Sequence, residues 1–245
     1  MDGHRSPETI IPPARGWRIS PLHATIAAAL CWIGFAGMVW LVENGRTGAL
    51  DSIGLLFWRT GADLRPAGPE WLLEAVRDVT ALGGVLLRHV IAAGALIALL
   101  FLKLRREALL LVGTIMGGWI ANSLAKLLVG RDRPTIVPHL TDAGGQSFPS
   151  GHSFNSAVVY IAIGLAFAAM SHRRDVRWTI VGGAVLLSLL VAGSRVWLGV
   201  HFPSDVIAGW LGGAGWAFAA SALLYRPAKA AAESEVAEEL DPTTP

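Results

Sequence analysis

The feature that most limits what this chain can fold into is a set of six apolar runs, with clusters of basic residues between some of them. The runs span residues 22–42, 85–102, 108–129, 154–170, 178–193 and 206–225. A helix of about 20 apolar residues crosses the hydrocarbon core of a bilayer. Only 16% of the 245 residues are charged, whereas a soluble domain carries about 25%. The pattern predicts an all-α, polytopic membrane protein with six transmembrane helices in a bundle.

The runs and their flanks divide the chain into three parts. Residues 21–227 are predicted to form a single transmembrane domain, which follows a cytoplasmic tail of residues 1–20. Residues 228–245 are rich in glutamate and end in Pro-Thr-Thr-Pro, a composition typical of a disordered tail. The first run has no small-residue cleavage pattern directly after it, so we interpret it as a retained membrane anchor.

Lysine and arginine residues between the runs predict how the helices are oriented. Four basic clusters alternate with the other loops, and they comprise Arg5, Arg15 and Arg18; Lys103, Arg105 and Arg106; Arg173, Arg174 and Arg177; and Arg226 and Lys229. Short segments rich in Lys and Arg stay in the cytoplasm. We therefore predict a bacterial inner membrane protein with both termini in the cytoplasm and with loops one, three and five facing the periplasm.

The first outer loop, residues 43–84, contains a helical pattern of its own. Over residues 69–82 the apolar side chains recur with the spacing of one helix face. Such a helix either lies in the membrane interface or covers the loop, and we favour the interfacial position. The sequence leaves open whether this loop moves as a lid.

Composition excludes several kinds of site and partner. A net charge of +2 is too small to indicate nucleic acid binding. The single cysteine, Cys31, lies within an apolar run and excludes an intramolecular disulfide or a Cys-based zinc site. No metal site and no cofactor are predicted; the bilayer is the expected partner, and the oligomeric state is left open.

Polar residues gather at the predicted outer ends of the spans, where ionisable groups are costly unless they have a function. Lys126, Arg133 and Arg195 supply three positive charges that no nearby carboxylate is placed to neutralise. Guanidinium and ammonium groups of this kind bind phosphate oxygens. Gly151 and His152 lie where the fourth span begins, and a helix N-terminus also attracts phosphate. The set predicts a site for a phosphoryl group.

Two histidines and an aspartate complete the set. His201 and Asp205 are four residues apart, so Asp205 can accept a hydrogen bond from the His201 ring and fix its tautomer. The other ring nitrogen then carries a lone pair that can act as a nucleophile. His152 is free to protonate a leaving group and later to activate water. We predict a metal-free phosphotransfer site.

Each of these residues also has a structural interpretation. Lys126 alone fits a lysine that extends towards the interface, and Asp205 fits the N-cap of the sixth helix. Arg131 and Arg133 alone fit loop charges, and His201 alone fits an interfacial histidine. We favour a functional site because all of them fall on one predicted face of the membrane.

The same residues form three motifs that resemble those of the type 2 phosphatidic acid phosphatase family. The family patterns are K-x6-RP, PSGH and SR-x5-H-x3-D. They correspond here to residues 126–134 (KLLVGRDRP), 149–152 (PSGH) and 194–205 (SRVWLGVHFPSD). All three are complete and in the family's order, and the resemblance covers about residues 20–226.

The resemblance implies a role for each site residue and a chemistry that needs no metal. Lys126, Arg133 and Arg195 look like phosphate ligands, assisted by Ser150 and the Gly151 backbone. His201 looks like the nucleophile that forms a phosphohistidine, Asp205 like its orienting partner, and His152 like the acid. Soluble relatives include vanadium-dependent haloperoxidases, an activity that the predicted membrane spans argue against.

The resemblance predicts an integral membrane phosphatase acting on a phosphorylated lipid, and it leaves the lipid open. We rank undecaprenyl pyrophosphate first, because an outward-facing site suits recycling of a carrier lipid. Phosphatidylglycerol phosphate, phosphatidic acid and lipid A phosphates are the alternatives. A lipid-to-lipid phosphotransferase is a second hypothesis. A transporter is a third, although its charges would be expected near the bilayer midplane.

Overall fold

The computed structural model describes residues 20–171 and 173–239, and it is helical along most of that length. The helices are α1 (Pro21–Glu43), α2 (Gly48–Leu56), α3 (Glu70–Leu82), α4 (Val85–Phe101), α5 (Arg105–Val129), α6 (Gly151–Ala168), α7 (Arg174–Trp197) and α8 (Pro203–Glu239). A two-residue antiparallel hairpin, β1 (Arg59–Thr60) with β2 (Arg65–Pro66), follows α2. The helical fold predicted from the apolar runs is confirmed.

Five of the helices in the described part of the chain are long and apolar enough to cross a membrane. They are α1, α5, α6, α7 and the first part of α8, Pro203–Leu223. Helix α4 has 17 residues and passes the same test only together with α3, from which it is bent by 52°. The predicted run at residues 85–102 corresponds to α4, and the number of candidate spans rises from five to six if α3 and α4 are counted as one span bent between Leu82 and Val85.

Helix α6 is the centre of the bundle and is buried along most of its length between α5, α7 and α8. Small residues let α8 approach it closely. A Cβ atom at Gly209 would lie 2.6 Å from the Ser150 carbonyl oxygen, a distance that no side chain tolerates. This close packing brings the beginning of α8 against the beginning of α6, which is where the predicted site residues lie.

The outer surface of the bundle is apolar, as expected for helices that face lipid. Large hydrophobic side chains on α1, α4 and α5 are exposed over half or more of their surface, and they include Leu22, Ile33, Leu86, Phe101, Leu109, Leu127 and Leu128. The buried core between the helices is built mainly from alanine, leucine and isoleucine. The apolar runs thus supply both the lipid-facing surface and the packing between helices.

The first outer loop folds over the end of the bundle at which α6 and α8 begin. The helix predicted at residues 69–82 is present as α3, and part of its apolar face packs on Trp197, Leu198 and Val200. Trp71 lies outside this contact and is 69% exposed. Helix α3 therefore covers the loop between α7 and α8 with its apolar face.

Helix α8 continues to Glu239. Residues 228–239, which the sequence analysis assigns to a disordered tail, are helical here, in keeping with the high helix propensity of alanine and glutamate. Residues 240–245 lie outside the described part of the chain, as does most of the predicted cytoplasmic segment 1–20.

Candidate active site

The predicted site residues come together at one end of the bundle. Lys126 lies in the last turn of α5, His152 in the first turn of α6, and Arg195 in the last turn of α7. The segments 130–150 and 198–202 connect these helices. The first and third motifs are 60 positions apart in sequence. All three motifs meet because α6 is packed between α5, α7 and α8.

His201 lies between α7 and α8 and is 2% exposed. Its Nδ1 atom is 3.2 Å from the Ser147 hydroxyl and 3.5 Å from Asp205 Oδ2. Its Nε2 atom is 3.1 Å from Arg133 Nη1. Because a guanidinium group can only donate, Nε2 must accept, and the ring proton is assigned to Nδ1. The lone pair of His201 therefore points towards the cationic part of the site.

Burial controls the charge of this imidazole. The pKa of His201 is lowered to about 4, mainly because the ring is removed from water; Arg133 and Arg195 contribute to the decrease and Asp205 opposes it. A neutral imidazole at pH 7 keeps its lone pair available for attack on phosphorus. The buried pair thus favours the form that a nucleophile requires.

Asp205 is fully buried in the first turn of α8. Its Oδ2 atom accepts hydrogen bonds from the Ser147 hydroxyl at 2.5 Å and from the Phe202 backbone N–H at 3.0 Å. The bond to Phe202 reaches back to the residue before the helix, as in a capping box. Asp205 therefore both caps the first turn of α8 and lies beside His201, the two positions that its place in the sequence suggested.

Two partners of this pair were not predicted from the sequence. Ser147 lies between Asp205 and His201, accepting from the ring and donating to the carboxylate. Arg131 is not a solvated loop charge, because it donates to Asp205 Oδ1 at 2.6 Å and to Asp51 Oδ2 at 2.7 Å. The only sequence signal for either residue is its position inside or next to a motif.

Of the three cations predicted to bind phosphate, Arg133 contacts Nε2 of His201 directly, and Lys126 and Arg195 lie at the same end of the bundle. Arg133 donates to the carbonyl oxygens of Val200 at 2.8 Å and Gly144 at 2.7 Å, and Lys126 Nζ donates to Gln146 at 2.8 Å. Carbonyl groups orient these side chains but do not neutralise them. Their positive charge remains available to an anion.

Arg195 is held differently, by a hydroxyl from the first outer loop. It is 3% exposed, and its Nη1 atom donates to Thr80 Oγ1 at 2.9 Å. Its Nε atom is buried without a hydrogen-bond partner. Within the described residues, no carboxylate forms an ion pair with Lys126, Arg133 or Arg195, so a bound anion would satisfy an unmet donor.

The beginning of α6 completes the cationic side. Ser150 is the residue before the helix, and its backbone N–H donates to the Asp205 carbonyl at 3.0 Å. Gly151 faces Lys126, since a Cβ atom at this position would lie 3.6 Å from Lys126 Cε. The next backbone N–H groups of the helix lack intrahelical acceptors. These free N–H groups lie where the sequence predicts a phosphate-binding helix end.

His152 points towards the corner between α3 and α4. A Cβ atom at Gly83 would lie 3.0 Å from His152 Cδ2 and 3.0 Å from the Ser156 hydroxyl. Only glycine fits this contact without displacing the ring. Across the described ranges, no group of three or more His, Cys, Asp or Glu side chains is arranged to hold a metal ion.

A bundle of membrane helices with a buried histidine–aspartate pair and unneutralised cations at one end defines a polytopic membrane protein with a candidate anion site. Residues 106–229 match the PAP2 superfamily model, and this chain belongs to that family. Its backbone also resembles the crystal structure of a transmembrane PAP2 type phosphatidylglycerolphosphate phosphatase from Bacillus subtilis. The TM-score is 0.69 with 22% identity, over 89% of this chain and 98% of that one, a likeness that supports the fold alone.

Curated relatives include several phosphatases. The chain is 33% identical over 146 residues to phosphatidylglycerophosphatase B of Bacillus subtilis (strain 168), covering 57% of this chain and 69% of that protein. It is 32% identical to undecaprenyl-diphosphatase BcrC of the same strain, covering 38% and 46%. It is 33% identical to lipid A 1-phosphatase of Rhizobium etli, covering 48% and 50%. The latter two alignments span only about half of those relatives.

Proposed function

We propose that this protein is an integral membrane lipid phosphatase that uses His201 as its nucleophile. The observation that carries the proposal is the environment of this buried ring. Nε2 faces Arg133 in a cluster of cations, while Nδ1 faces Ser147 and Asp205. The relatives named above support the reaction class, because each is a phosphatase named for a phosphorylated lipid.

In the first step, the Nε2 lone pair of His201 attacks phosphorus. The P–N bond forms as the bond from phosphorus to the lipid oxygen breaks, giving a phosphohistidine. His152 donates a proton to the departing oxygen, so a phosphomonoester releases a neutral alcohol. Asp205 and Ser147 hold the ring proton on Nδ1 and stabilise the positive charge that develops on the imidazole.

In the second step, His152 has lost its proton and takes one from a water molecule. That water attacks phosphorus, the P–N bond breaks, and its electron pair returns to His201. Inorganic phosphate leaves, and both histidines are restored to their starting protonation states. One proton-transfer residue thus serves both steps in opposite directions.

The transition state of each step carries its charge on the equatorial phosphate oxygens. Lys126, Arg133 and Arg195 are proposed to bind these oxygens, with Ser150 and the backbone N–H of Gly151 as further donors. Three fixed cations supply the charge stabilisation that a metal ion supplies in other phosphatases. The proposed reaction therefore needs no metal.

The substrate enters from the bilayer at the outer ends of α5 to α8, with both chain termini in the cytoplasm. Undecaprenyl pyrophosphate remains the first-ranked substrate, because an outward-facing site would act on a carrier lipid after its cargo has been transferred. Phosphatidylglycerol phosphate ranks second, on the relative with the longest of the three alignments. The transporter hypothesis is not favoured by these relatives.

The test is a release assay with purified protein and labelled lipid phosphates, comparing wild type with His201→Ala. The matched control is His89→Ala, since His89 is exposed on α4 and contacts its own helix. We expect acid-labile phosphate on the wild-type protein only, and loss of turnover only in His201→Ala. Turnover that survives His201→Ala would refute the mechanism, and label that appears in a second lipid would indicate phosphotransfer instead of hydrolysis.

A further inference from the structure

A buried arginine that belongs to none of the three motifs lies beside the proposed acid. Arg88 is in the first turn of α4 and is 6% exposed. In the part of the chain that the structure describes, no carboxylate pairs with it. A buried charged group in a membrane helix is costly and indicates a function.

The contacts of Arg88 leave most of its donors for a ligand. Its Nη1 atom donates to the Gly83 carbonyl oxygen at 2.8 Å, which accounts for one of the five N–H donors of a guanidinium group. The carbonyl of the preceding residue, Leu82, accepts from the Tyr160 hydroxyl at 2.6 Å. None of these groups carries a negative charge.

Gly83 connects Arg88 to the reaction centre. Its carbonyl accepts the arginine, and its α-carbon faces the His152 ring so closely that a Cβ atom would lie 3.0 Å from Cδ2. Arg88 and His152 therefore both lie against Gly83. Arg88 is thus on the His152 side of the site, whereas Arg133 contacts the Nε2 atom of His201.

The side on which a cation lies determines what it can stabilise. In the proposed mechanism, His152 lies next to the oxygen that leaves with the lipid. A phosphomonoester leaves as an alcohol, which needs a proton and no further positive charge. A lipid diphosphate breaks its P–O–P bridge and leaves as a lipid monophosphate, whose negative charge a guanidinium group binds well.

On the basis of the proposed function, we infer that Arg88 binds the phosphate that stays on the lipid, which makes a lipid diphosphate the preferred substrate class. In this reaction, His201 takes the terminal phosphoryl group and the bridging oxygen leaves with the second phosphate. His152 donates a proton to that phosphate, and Arg88 binds its remaining charge. Arg88 is then a specificity-determining residue.

The test compares two substrates with the same isoprenoid tail, a diphosphate and a monophosphate, on each purified variant. Arg88→Gln removes the charge and keeps an N–H donor for Gly83. We expect its kcat/KM for the diphosphate to fall at least 10-fold and that for the monophosphate to change less than threefold. Both kcat/KM values are measured on the same preparation of each variant. A smaller fraction of folded protein lowers both values equally and leaves their ratio unchanged.

The control is Arg65→Gln, because Arg65 is exposed in the first outer loop and pairs only with exposed Asp63. Its substrate ratio should equal that of wild type. If Arg88→Gln does not fold, Arg88→Lys is the test variant. A lysine keeps the positive charge but lacks the planar guanidinium group, so the ratio of kcat/KM for the diphosphate to that for the monophosphate should fall three- to 10-fold. An equal loss on both substrates would mean that Arg88 only supports the α3–α4 corner and would overturn the inference.

Two other outcomes also overturn it: a ratio unchanged in the variant that folds, and a wild-type protein that cleaves the monophosphate faster than the diphosphate. Failure of the proposed function gives a different result. In that case, wild type and His201→Ala would show the same rates on both lipids, whatever residue is present at position 88.

Discussion

Arg131 and Asp205 form an ion pair in which Nη1 lies 2.6 Å from Oδ1, and the carboxylate is fully buried. The other terminal nitrogen of Arg131 is 2.7 Å from Asp51, which is 2% exposed. Asp51 in turn accepts from the backbone N–H and the hydroxyl of Ser204. The first outer loop therefore helps to position the carboxylate that orients His201, although it contains none of the three motifs.

We predict that Arg131→Met lowers kcat by about 100-fold and destabilises the protein. Removing one member of a buried ion pair leaves charge uncompensated, at a cost of about 3–5 kcal/mol, and here two carboxylates lose their partner. Asp51→Asn should have a smaller effect, about 10-fold on kcat with KM nearly unchanged, because Arg131 keeps its bond to Asp205. Steady-state kinetics and thermal inactivation in detergent measure both effects.

A double-mutant cycle checks whether Asp51 acts through Arg131. If it does, Asp51→Asn should have little further effect on kcat in the Arg131→Met background. The matched control is Arg173→Met, because Arg173 pairs with Asp175 on the exposed surface, where an ion pair is worth about 0–1 kcal/mol. Additive losses at positions 51 and 131 would refute the coupling.

Ser147→Ala tests the hydroxyl that lies between Asp205 and His201. The change removes the 2.5 Å hydrogen bond to Asp205 and the acceptor 3.2 Å from His201 Nδ1. We expect a fall of about 10- to 100-fold in kcat, since a lost buried hydrogen bond to a charged group costs about 1.5–3 kcal/mol. Ser123→Ala is the control, as Ser123 donates only to its own helix. A wild-type kcat in Ser147→Ala would assign Ser147 to packing alone.

The pH dependence of kcat/KM should show the unusual acidity of the His201 imidazolium. Protonation blocks the lone pair, so activity should rise with pH through about 4, the value to which burial lowers the pKa of His201. If the histidine were exposed, the midpoint of this rise in activity would lie near pH 6.5. A profile from pH 3.5 to 8 distinguishes the two, and a midpoint near 6.5 would contradict the buried geometry.

The same shift has a consequence for stability. Because the pKa of His201 is lower in the folded protein than the ordinary value of 6.5, the unfolded chain binds the proton more tightly. The contribution to stability is therefore complete above about pH 6.5 and is lost as the pH falls towards 4. Thermal inactivation should become faster over this interval, and less so in His201→Ala.

Local sequence patterns were sufficient to predict five of the spans and to gather most of the candidate site residues at one end of them. The apolar runs define α1 and α5 to α8 because each helix is long enough to show the signal by itself. His201 and Asp205 are four residues apart, so their proximity follows from sequence spacing. The N-terminus of α6 also follows from the local sequence, because Ser150 and Gly151 lie where a helix is predicted to begin.

Most of the missed residues depend on contacts between distant segments. Thr80 and Arg195 are 115 positions apart, and Asp51 and Ser204 are 153 apart. No periodicity or motif links such pairs, because they meet only when the first outer loop folds over the bundle. Arg88 was missed for a different reason: it lies in an apolar run, and its partner is a backbone carbonyl only five residues away.

Gly83→Ala should lower turnover by displacing the acid while leaving phosphate binding intact. The added methyl group would overlap Val191 and would lie 3.0 Å from His152 Cδ2, so the ring must shift away from the leaving group. Small displacements of a catalytic group can cost about 100-fold in rate, and we expect at least a 10-fold fall in kcat. The inhibition constant of vanadate should change less than threefold, because the cations that bind it lie beside His201.

The matched control for this glycine is Gly94→Ala, which places the same methyl group on α4 with nothing within 4 Å. Replacing a mid-helix glycine by alanine favours the helix by about 0.5–1 kcal/mol, so this variant should be as active as wild type and slightly more stable. Wild-type turnover in Gly83→Ala would show that the corner between α3 and α4 does not fix the position of His152. A parallel loss of vanadate affinity would instead indicate that the corner supports the whole anion site.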